Sequence, residues 1–219
     1  MKIMKNQILA VVSTFALTGT AVLAWDFSYG FQNVYSANAD TYIVGQQNVT
    51  KVTEWQTPPY TYWGPTANDV QGLLTMRFDF LAPTTEIHLN AKITSFNTTG
   101  TSGFGYGSSS LWGSRDGSSW QLLLDNPTPP NGTFGSELTY NQDVPSSLIG
   151  SSSFWLQVQM QQTGASGIAK DAQFCRTDSS TPGNIFQLDV QLVPEPSALS
   201  LVVCAGLAAL CLRGRKDRQ

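Results

Sequence analysis

Short segments of alternating apolar and polar residues, separated by Gly, Pro, Asn and Ser, dominate residues 25–193 of the chain. No long amphipathic helical period occurs in this stretch. Alternation with a period of two residues is typical of strands that are buried on one face. It is clearest in residues 154–160 and 185–193. The sequence therefore predicts an all-β fold in which two packed sheets form a jelly-roll-like β-sandwich.

Seven strands are predicted from this alternation. They cover residues 25–34, 72–80, 86–95, 107–114, 120–125, 153–161 and 184–193. The 219-residue chain is divided into an export signal over residues 1–24, the β-sandwich over residues 25–193 and a C-terminal tail over residues 194–219. The middle part is long enough for one domain with a core of its own.

Charge is distributed unevenly along the chain. Residues 25–193 contain thirteen acidic and six basic side chains, a formal charge of −7 with neutral His88, although the whole chain carries only −3. A surface of this sign repels the phosphates of nucleic acids and anionic lipids. We therefore expect no nucleic-acid partner.

Cysteine usage excludes a disulfide within the domain. Cys204 and Cys211 lie in the apolar run near the C-terminus, which leaves Cys175 alone in residues 25–193. We expect Cys175 to be a small buried apolar residue, and the domain to depend on its apolar core.

Residues 1–24 have the three parts of a secretory signal peptide. Lys2 and Lys5 supply the positively charged start, residues 8–17 form the apolar stretch, and residues 21–24 form a cleavage region that ends in a small residue. Cleavage is predicted after Ala24, which implies the Sec translocon and a signal peptidase as partners. The alternative, an uncleaved membrane anchor, would need a longer apolar stretch.

The C-terminal tail combines three features in a fixed order. Pro194, Glu195 and Pro196 come first, an apolar run over residues 198–212 follows, and Arg213, Arg215, Lys216 and Arg218 end the chain. The prolines favour an extended connection, and the run would form a short transmembrane helix of about 22 Å. The basic cluster would keep the C-terminus in the cytoplasm and act as a stop-transfer signal.

This tail resembles the PEP-CTERM sorting signal of Gram-negative bacteria over its last 26 residues or so. The resemblance implies recognition of Pro194, Glu195 and Pro196 by an exosortase, a membrane-embedded cysteine peptidase. It further implies an inner-membrane anchored precursor and delivery to the cell surface or to an extracellular exopolysaccharide matrix. The alternative is a plain C-terminal membrane anchor that contains Pro-Glu-Pro by chance.

Residues 114–120, Ser-Arg-Asp-Gly-Ser-Ser-Trp, have the composition of a tight hairpin, since Asp-Gly favours left-handed turn conformations. The segment resembles the hairpin of discoidin-like, galactose-binding-like jelly rolls, a resemblance that extends over residues 72–193. It matches the Asp-box of sialidases less well, because one residue is missing and the segment occurs once. We expect Asp116, Gly117 and Trp120 to have structural roles in the turn and core.

The body lacks the usual parts of an active site. His88 is the only histidine and is predicted to point outward from a strand, and neither a nucleophile elbow nor a phosphate loop occurs. We expect no catalytic residue, no cofactor and no zinc site. Asp116, Asp125 or Asp143 could bind calcium with loop carbonyls, but solvated loop carboxylates are the simpler interpretation.

Aromatic residues in loops are the candidates for a ligand site. Trp55, Tyr60, Tyr62 and Trp63 fall in a Pro-rich segment, where they could stack on sugar rings or could instead fill the end of the sandwich. A second candidate face is residues 103–113, with Phe104, Tyr106 and Trp112.

Three functions remain open from the sequence. The leading hypothesis is a non-enzymatic envelope or matrix protein, with glycan binding through exposed aromatics as one activity to test. The alternatives are a secreted carbohydrate-active enzyme of glycosidase type, whose carboxylate pair could come from distant strands, and an adhesin that binds protein partners.

Overall fold

The computed structural model describes residues 25–54, 59–99, 105–131, 135–164, 171–178 and 183–194. Twelve strands account for most of them. In chain order these are β1 (Phe27–Phe31), β2 (Ile43–Gln47), β3 (Val49–Thr53), β4 (Tyr60–Pro65), β5 (Gln71–Asp79), β6 (Thr84–Ser95), β7 (Tyr106–Ser114), β8 (Gln121–Asn126), β9 (Ser136–Asp143), β10 (Ser153–Thr163), β11 (Ala172–Asp178) and β12 (Phe186–Leu192). A single 3-10 turn, Ser146–Leu148, lies between β9 and β10.

The strands form two antiparallel sheets. The first has seven strands in the order β1-β12-β6-β11-β4-β3, with β9 paired to β6, and the second has five in the order β2-β5-β10-β7-β8. The predicted all-β, two-sheet sandwich is therefore confirmed. Sequential strands repeatedly change sheets, as in β5 to β6, β6 to β7 and β8 to β9.

Strand β6 organises the seven-stranded sheet because it is twelve residues long and pairs with three strands. Strand β9 pairs with its residues 88–95, while β12 pairs with residues 84–91 and β11 with residues 93–95. The overlap in register places β9 on one edge of β6 and both β12 and β11, one after the other, on the opposite edge.

The core between the sheets is aromatic. Phe186 on β12 stacks on Phe31 of its own sheet, with ring centroids 5.1 Å apart and planes 5° apart. It also faces Phe78 of the five-stranded sheet at 6.4 Å, and Phe78 stacks on Phe154 at 6.5 Å. Phe174 adds an edge contact to Phe186 at 6.2 Å. Phe186 thus joins the aromatic side chains of both sheets.

All seven strands predicted from alternation are present, and none of their ends is shifted by more than three residues. The five strands that were not predicted are β2, β3, β4, β9 and β11. Cys175 is buried as expected, at a positive φ of 53° on β11.

The predicted signal peptide and transmembrane run lie outside the described residues. Within the described parts no helix is long and apolar enough to span a bilayer.

His88 faces outward from β6 and joins it to β9. Its Nδ1 lies 2.8 Å from Asp143 Oδ1, and its Nε2 lies 3.2 Å from Asn141 Oδ1. The hydrogen bond to Asp143 raises the pKa of His88 above its usual value; partial burial opposes the rise and Asn141 adds to it. Two acceptors around the two ring nitrogens favour the imidazolium, in which both nitrogens donate.

Replacing the central aromatic residue should loosen both sheets. We expect Phe186→Ala to lower the free energy of unfolding by about 3–5 kcal/mol, since it removes a fully buried ring. Urea denaturation followed by fluorescence measures the loss. The matched control is Leu81→Ala, whose side chain is 98% exposed and whose loss should leave the midpoint unchanged. Equal midpoints for the two variants would contradict the central role of Phe186.

The His88–Asp143 pair should make stability depend on pH. A pKa that is raised on folding stabilises the folded state fully below the unfolded value of 6.5, and the effect disappears as the pH rises through the folded value. At pH 5.5 we expect the free energy of unfolding of the wild type to exceed that of His88→Asn by about 0.2–1 kcal/mol, the contribution of an exposed ion pair. Urea titrations at pH 5.5 and 9 measure this, and a difference that persists at pH 9 would contradict the ion pair.

Candidate functional site

The outward side of the five-stranded sheet carries amide, hydroxyl and indole side chains around the half-buried apolar Leu73 of β5. They come from the polar half of the alternation in β5, β10 and β7, whose other half is buried in the core. All of these outward residues are half-buried or exposed. We call this set the amide–tryptophan face: Gln71, Thr75, Arg77, Ser108, Ser110, Trp112, Trp155, Gln157, Gln159 and Gln161.

The register brings these side chains side by side. Gln157 of β10 lies opposite Thr75 of β5 on one side and opposite Trp112 of β7 on the other. One step along, Gln159 lies opposite Leu73 of β5 on one side and opposite Ser110 of β7 on the other. Side chains directly opposite each other in antiparallel strands have Cβ atoms about 4.5–5.5 Å apart. The face therefore consists of rows that cross three strands.

A chain of hydrogen bonds fixes the amides. Gln71 Nε2 donates to Gln159 Oε1 at 3.2 Å, Gln159 Nε2 donates to Gln157 Oε1 at 3.0 Å, and Gln157 Nε2 donates to Thr75 Oγ1 at 3.3 Å. A Gln amide has two N–H donors and two acceptor lone pairs. In these bonds Gln157 and Gln159 each use one donor and one lone pair. Each is thus oriented and still able to bind a hydroxyl group.

The two tryptophans of the face differ in the side chains that their indole rings contact. Trp155 already has a cation on its ring, because the Arg77 guanidinium lies 5.0 Å from the ring centroid. The indole Nε1 of Trp112 donates to Ser110 Oγ at 2.8 Å, which orients the ring along β7. Among the described residues no aromatic or cationic side chain stacks on Trp112. Trp112 is half-buried, and the part of its ring that reaches solvent is available to a planar apolar ligand surface.

The β7–β8 hairpin borders this face, and its predicted turn chemistry is confirmed. Asp116 Oδ1 accepts the backbone N–H groups of Ser118 and Ser119, both at 2.8 Å. Gly117 has a φ of +73°, and a Cβ at this position would lie 3.0 Å from Trp155 ring atoms. A side chain at residue 117 would therefore be strained by this φ and would require a small shift of the Trp155 ring.

The predicted stacking residues do not form an open platform. Tyr62 and Trp63 are fully buried at 0% exposure and present no ring surface to a sugar, so of the two alternatives their burial agrees with filling the sandwich. Tyr60 is half-buried, and its ring is covered by the Arg176 guanidinium at 3.6 Å. Trp55 lies outside the described residues.

The sorting residues lie mostly beyond the described chain. Pro194 is the last described residue, directly after a backbone hydrogen bond from Val193 N to Pro83 O of 2.8 Å. Glu195, Pro196 and the basic residues Arg213, Arg215, Lys216 and Arg218 are outside it. Of the second candidate face, Tyr106 is 38% exposed at the start of β7, while Phe104 is also outside the described residues.

Reactive and metal-binding groups are not assembled in the described part of the chain. No three His, Cys, Asp or Glu side chains there form a group that could hold a metal ion. Burial raises the pKa of the Cys175 thiol well above its usual value, which favours the unreactive thiol form. The described arrangement offers hydrogen bonds and an aromatic surface rather than a nucleophile.

Sequence reasoning identified Trp112 but not Gln71, Thr75 and Arg77 of β5, nor the four candidate residues of β10, which are Trp155, Gln157, Gln159 and Gln161. The sequence did contain a signal for these four residues, because they occupy every second position of a clearly alternating segment. The apolar half of that alternation predicts the core, and the polar half equally defines an outward surface.

No protein-family model and no curated protein sequence matches the chain. Solved structures similar to it include a carbohydrate-binding module from Cellvibrio mixtus lichenase 5A in complex with cellotriose, at 9% identity and a TM-score of 0.36 over 78% of this chain and 99% of that one. They also include the CBM22-1 xylan-binding domain from Paenibacillus barcinonensis, at 11% identity and a TM-score of 0.39 over 80% of this chain and 100% of that one.

A third similar structure is the T13 viral particle of IBDV, at 12% identity and a TM-score of 0.34 over 77% of this chain and 32% of that one. Similarities this weak do not carry over what those proteins bind. The assignment of this chain as a two-sheet β-sandwich rests on its own strands and register.

Proposed function

We propose that this chain is an exported, non-catalytic envelope or matrix protein whose body binds a neutral polysaccharide through the amide–tryptophan face. The observation that carries the proposal is the ordered amide chain beside Trp112. Sugar rings present apolar C–H faces, which pack on an indole, and hydroxyl groups around the ring edge, which pair with amides. A sheet face that crosses three strands suits a segment of an extended chain better than a compact ligand.

Charge favours a neutral ligand. Arg77 is paired with Asp79, with Nε 2.9 Å from Oδ1, and it is already engaged with the Trp155 ring. Asp125 of β8 lies opposite Ser110 at the side of the face. The formal charge of −7 on residues 25–193 would also repel polyanions. These features argue against a polysaccharide rich in uronate or sulfate.

The ends of the chain support the proposed destination. A signal peptide removed by signal peptidase after Sec export would leave Trp25 first, and β1 begins two residues later. At the other end, Val193 N still donates to Pro83 O of the sandwich, directly before Pro194. Recognition of Pro194, Glu195 and Pro196 by an exosortase, with Arg213, Arg215, Lys216 and Arg218 held in the cytoplasm, would deliver the body to the surface or to an exopolysaccharide matrix of a Gram-negative bacterium.

Removal of the open indole should weaken polysaccharide binding. We expect Trp112→Ala to weaken retention of the purified full-length protein about tenfold in affinity electrophoresis through gels with a soluble β-glucan, xylan or galactomannan. Trp25→Ala removes an indole that is 37% exposed and lies off this face, so it serves as the matched control.

Two results would contradict the proposal. One is equal retention of Trp112→Ala and wild type in every gel that retards the protein, and the other is the absence of retardation by any neutral polysaccharide. Release of reducing sugar by the same preparation would instead favour the carbohydrate-active enzyme.

The sorting proposal has its own test. We expect replacement of Pro194, Glu195 and Pro196 by alanine to trap a longer, membrane-bound precursor, because the peptidase would lose its recognition residues. Intact-mass measurement of fractionated cells gives both termini, with Ser197→Ala as the control. Unchanged mass and location of the triple variant would refute exosortase sorting without affecting the glycan proposal.

A further inference from the structure

A cleft of about 250 Å³ lies at the β7–β8 hairpin, apart from the amide–tryptophan face. Leu148 of the 3-10 turn, which is 4% exposed, is its apolar aliphatic lining residue. We call it the hairpin cleft, and its polar and aromatic wall is formed by Arg115, Asp116, Ser119, Trp120, Gln121 and Ser147.

The wall of the hairpin cleft is rigid on the hairpin side. Asp116 Oδ1 accepts a hydrogen bond from Ser114 Oγ at 3.0 Å besides the two from the turn backbone. Ser114 Oγ in turn accepts the N–H of Gly117 at 3.0 Å. The backbone hydrogen bonds from Ser119 and Ser118 hold the pKa of the Asp116 carboxyl well below its usual range. Asp116 is therefore a fixed negative charge at the rim.

The rest of the wall keeps donors for a ligand. Ser147 Oγ donates to Gln121 Oε1 at 2.6 Å, which orients the amide. Within the described residues, neither Gln121 Nε2 nor the Arg115 guanidinium has an acceptor at hydrogen-bond distance. Donors and a carboxylate around a half-buried indole can pair with adjacent hydroxyl groups while the apolar side of a ring packs on Trp120.

Size and charge narrow the ligand class. Pockets for drug-sized molecules measure about 300–1,000 Å³, so the hairpin cleft suits a single six-membered sugar ring better than an oligosaccharide. The charges of Arg115 and Asp116 cancel at its rim, which favours a ligand without net charge.

We infer that the hairpin cleft binds one neutral hexopyranose, such as the terminal residue of a glycan chain. This is a second binding site, and it goes beyond the proposed function of the face, which takes an internal chain segment. The two sites share no residue but are joined where Gly117 packs against Trp155. A protein with both sites can hold the end of one chain and the middle of another, which cross-links a matrix.

The test is an NMR titration of the purified full-length protein with the methyl glycosides of glucose, galactose and mannose. We expect at least one to bind with a Kd on the order of 1 mM, as suits a ligand of this size. Trp120→Ala and Gln121→Ala should each weaken it about tenfold or more. Gln121 is exposed, so its variant keeps the test valid if Trp120→Ala fails to fold, and Trp25→Ala is the control.

The inference is overturned if no methyl glycoside binds, if neither cleft variant weakens binding, or if methyl glucuronide binds more tightly than every neutral probe. Failure here is distinguishable from failure of the proposed function. Loss of the cleft site leaves retention in polysaccharide gels and its dependence on Trp112 intact, whereas loss of the face site leaves the methyl glycoside titration intact.

Discussion

The contact between the two sheets through Phe186 is the interaction on which the rest of the molecule depends. Small exported domains commonly use disulfides, but Cys175 is the only cysteine of residues 25–193 and is fully buried. Stability must then come from apolar burial, and large aromatic rings supply much area per residue. Stacking of Phe186 on Phe31, with Phe78 facing it from the other sheet, holds the seven-stranded and five-stranded sheets together.

The same strands that form this core also present the proposed binding surface. Along β10, Phe154, Leu156 and Val158 point inward and are fully buried. Trp155 and Gln157 occupy the positions between them. A side chain that points outward from a strand packed on this core is held on a rigid backbone, so the entropic cost of ordering it for a ligand is partly met on folding. Because alternate residues of the same strand form the core and the candidate site, a rigid core also fixes the orientation of the site residues.

Much of the fold could be predicted from this alternation, and the failures have physical reasons. Strand β9 exposes most of its side chains and buries Tyr140 alone, so it carries little apolar signal. Strand β11 is buried on both faces and interrupted at Cys175, where φ is positive, which destroys the period of two. Strand β4 looked like a Pro-rich loop, and only pairing with β3 and β11 makes it a strand.

The site was harder to predict because exposure is decided by tertiary packing. Tyr62 and Trp63 are neighbours in a segment that resembles a loop, yet both are covered. Trp112 and Trp155 are far apart in sequence and meet on one face only through the pairing of β7 with β10. Composition identifies aromatic residues, but strand register decides which of them reach solvent.

Both ends of the described body lie at the same pole of the sandwich. Asp26 N donates to Val190 O at 2.9 Å, and Val193 N reaches Pro83 O, beside the loop in which Gly150 N donates to Thr84 O at 2.9 Å. Any tether that follows Val193 therefore begins at this end of the sandwich. The amide–tryptophan face extends from this end along the outward side of the five-stranded sheet. A body held in this way would meet a polymer from the side, at the end of the face formed by Gln71 and Gln161, whereas the hairpin cleft would lie near the tether.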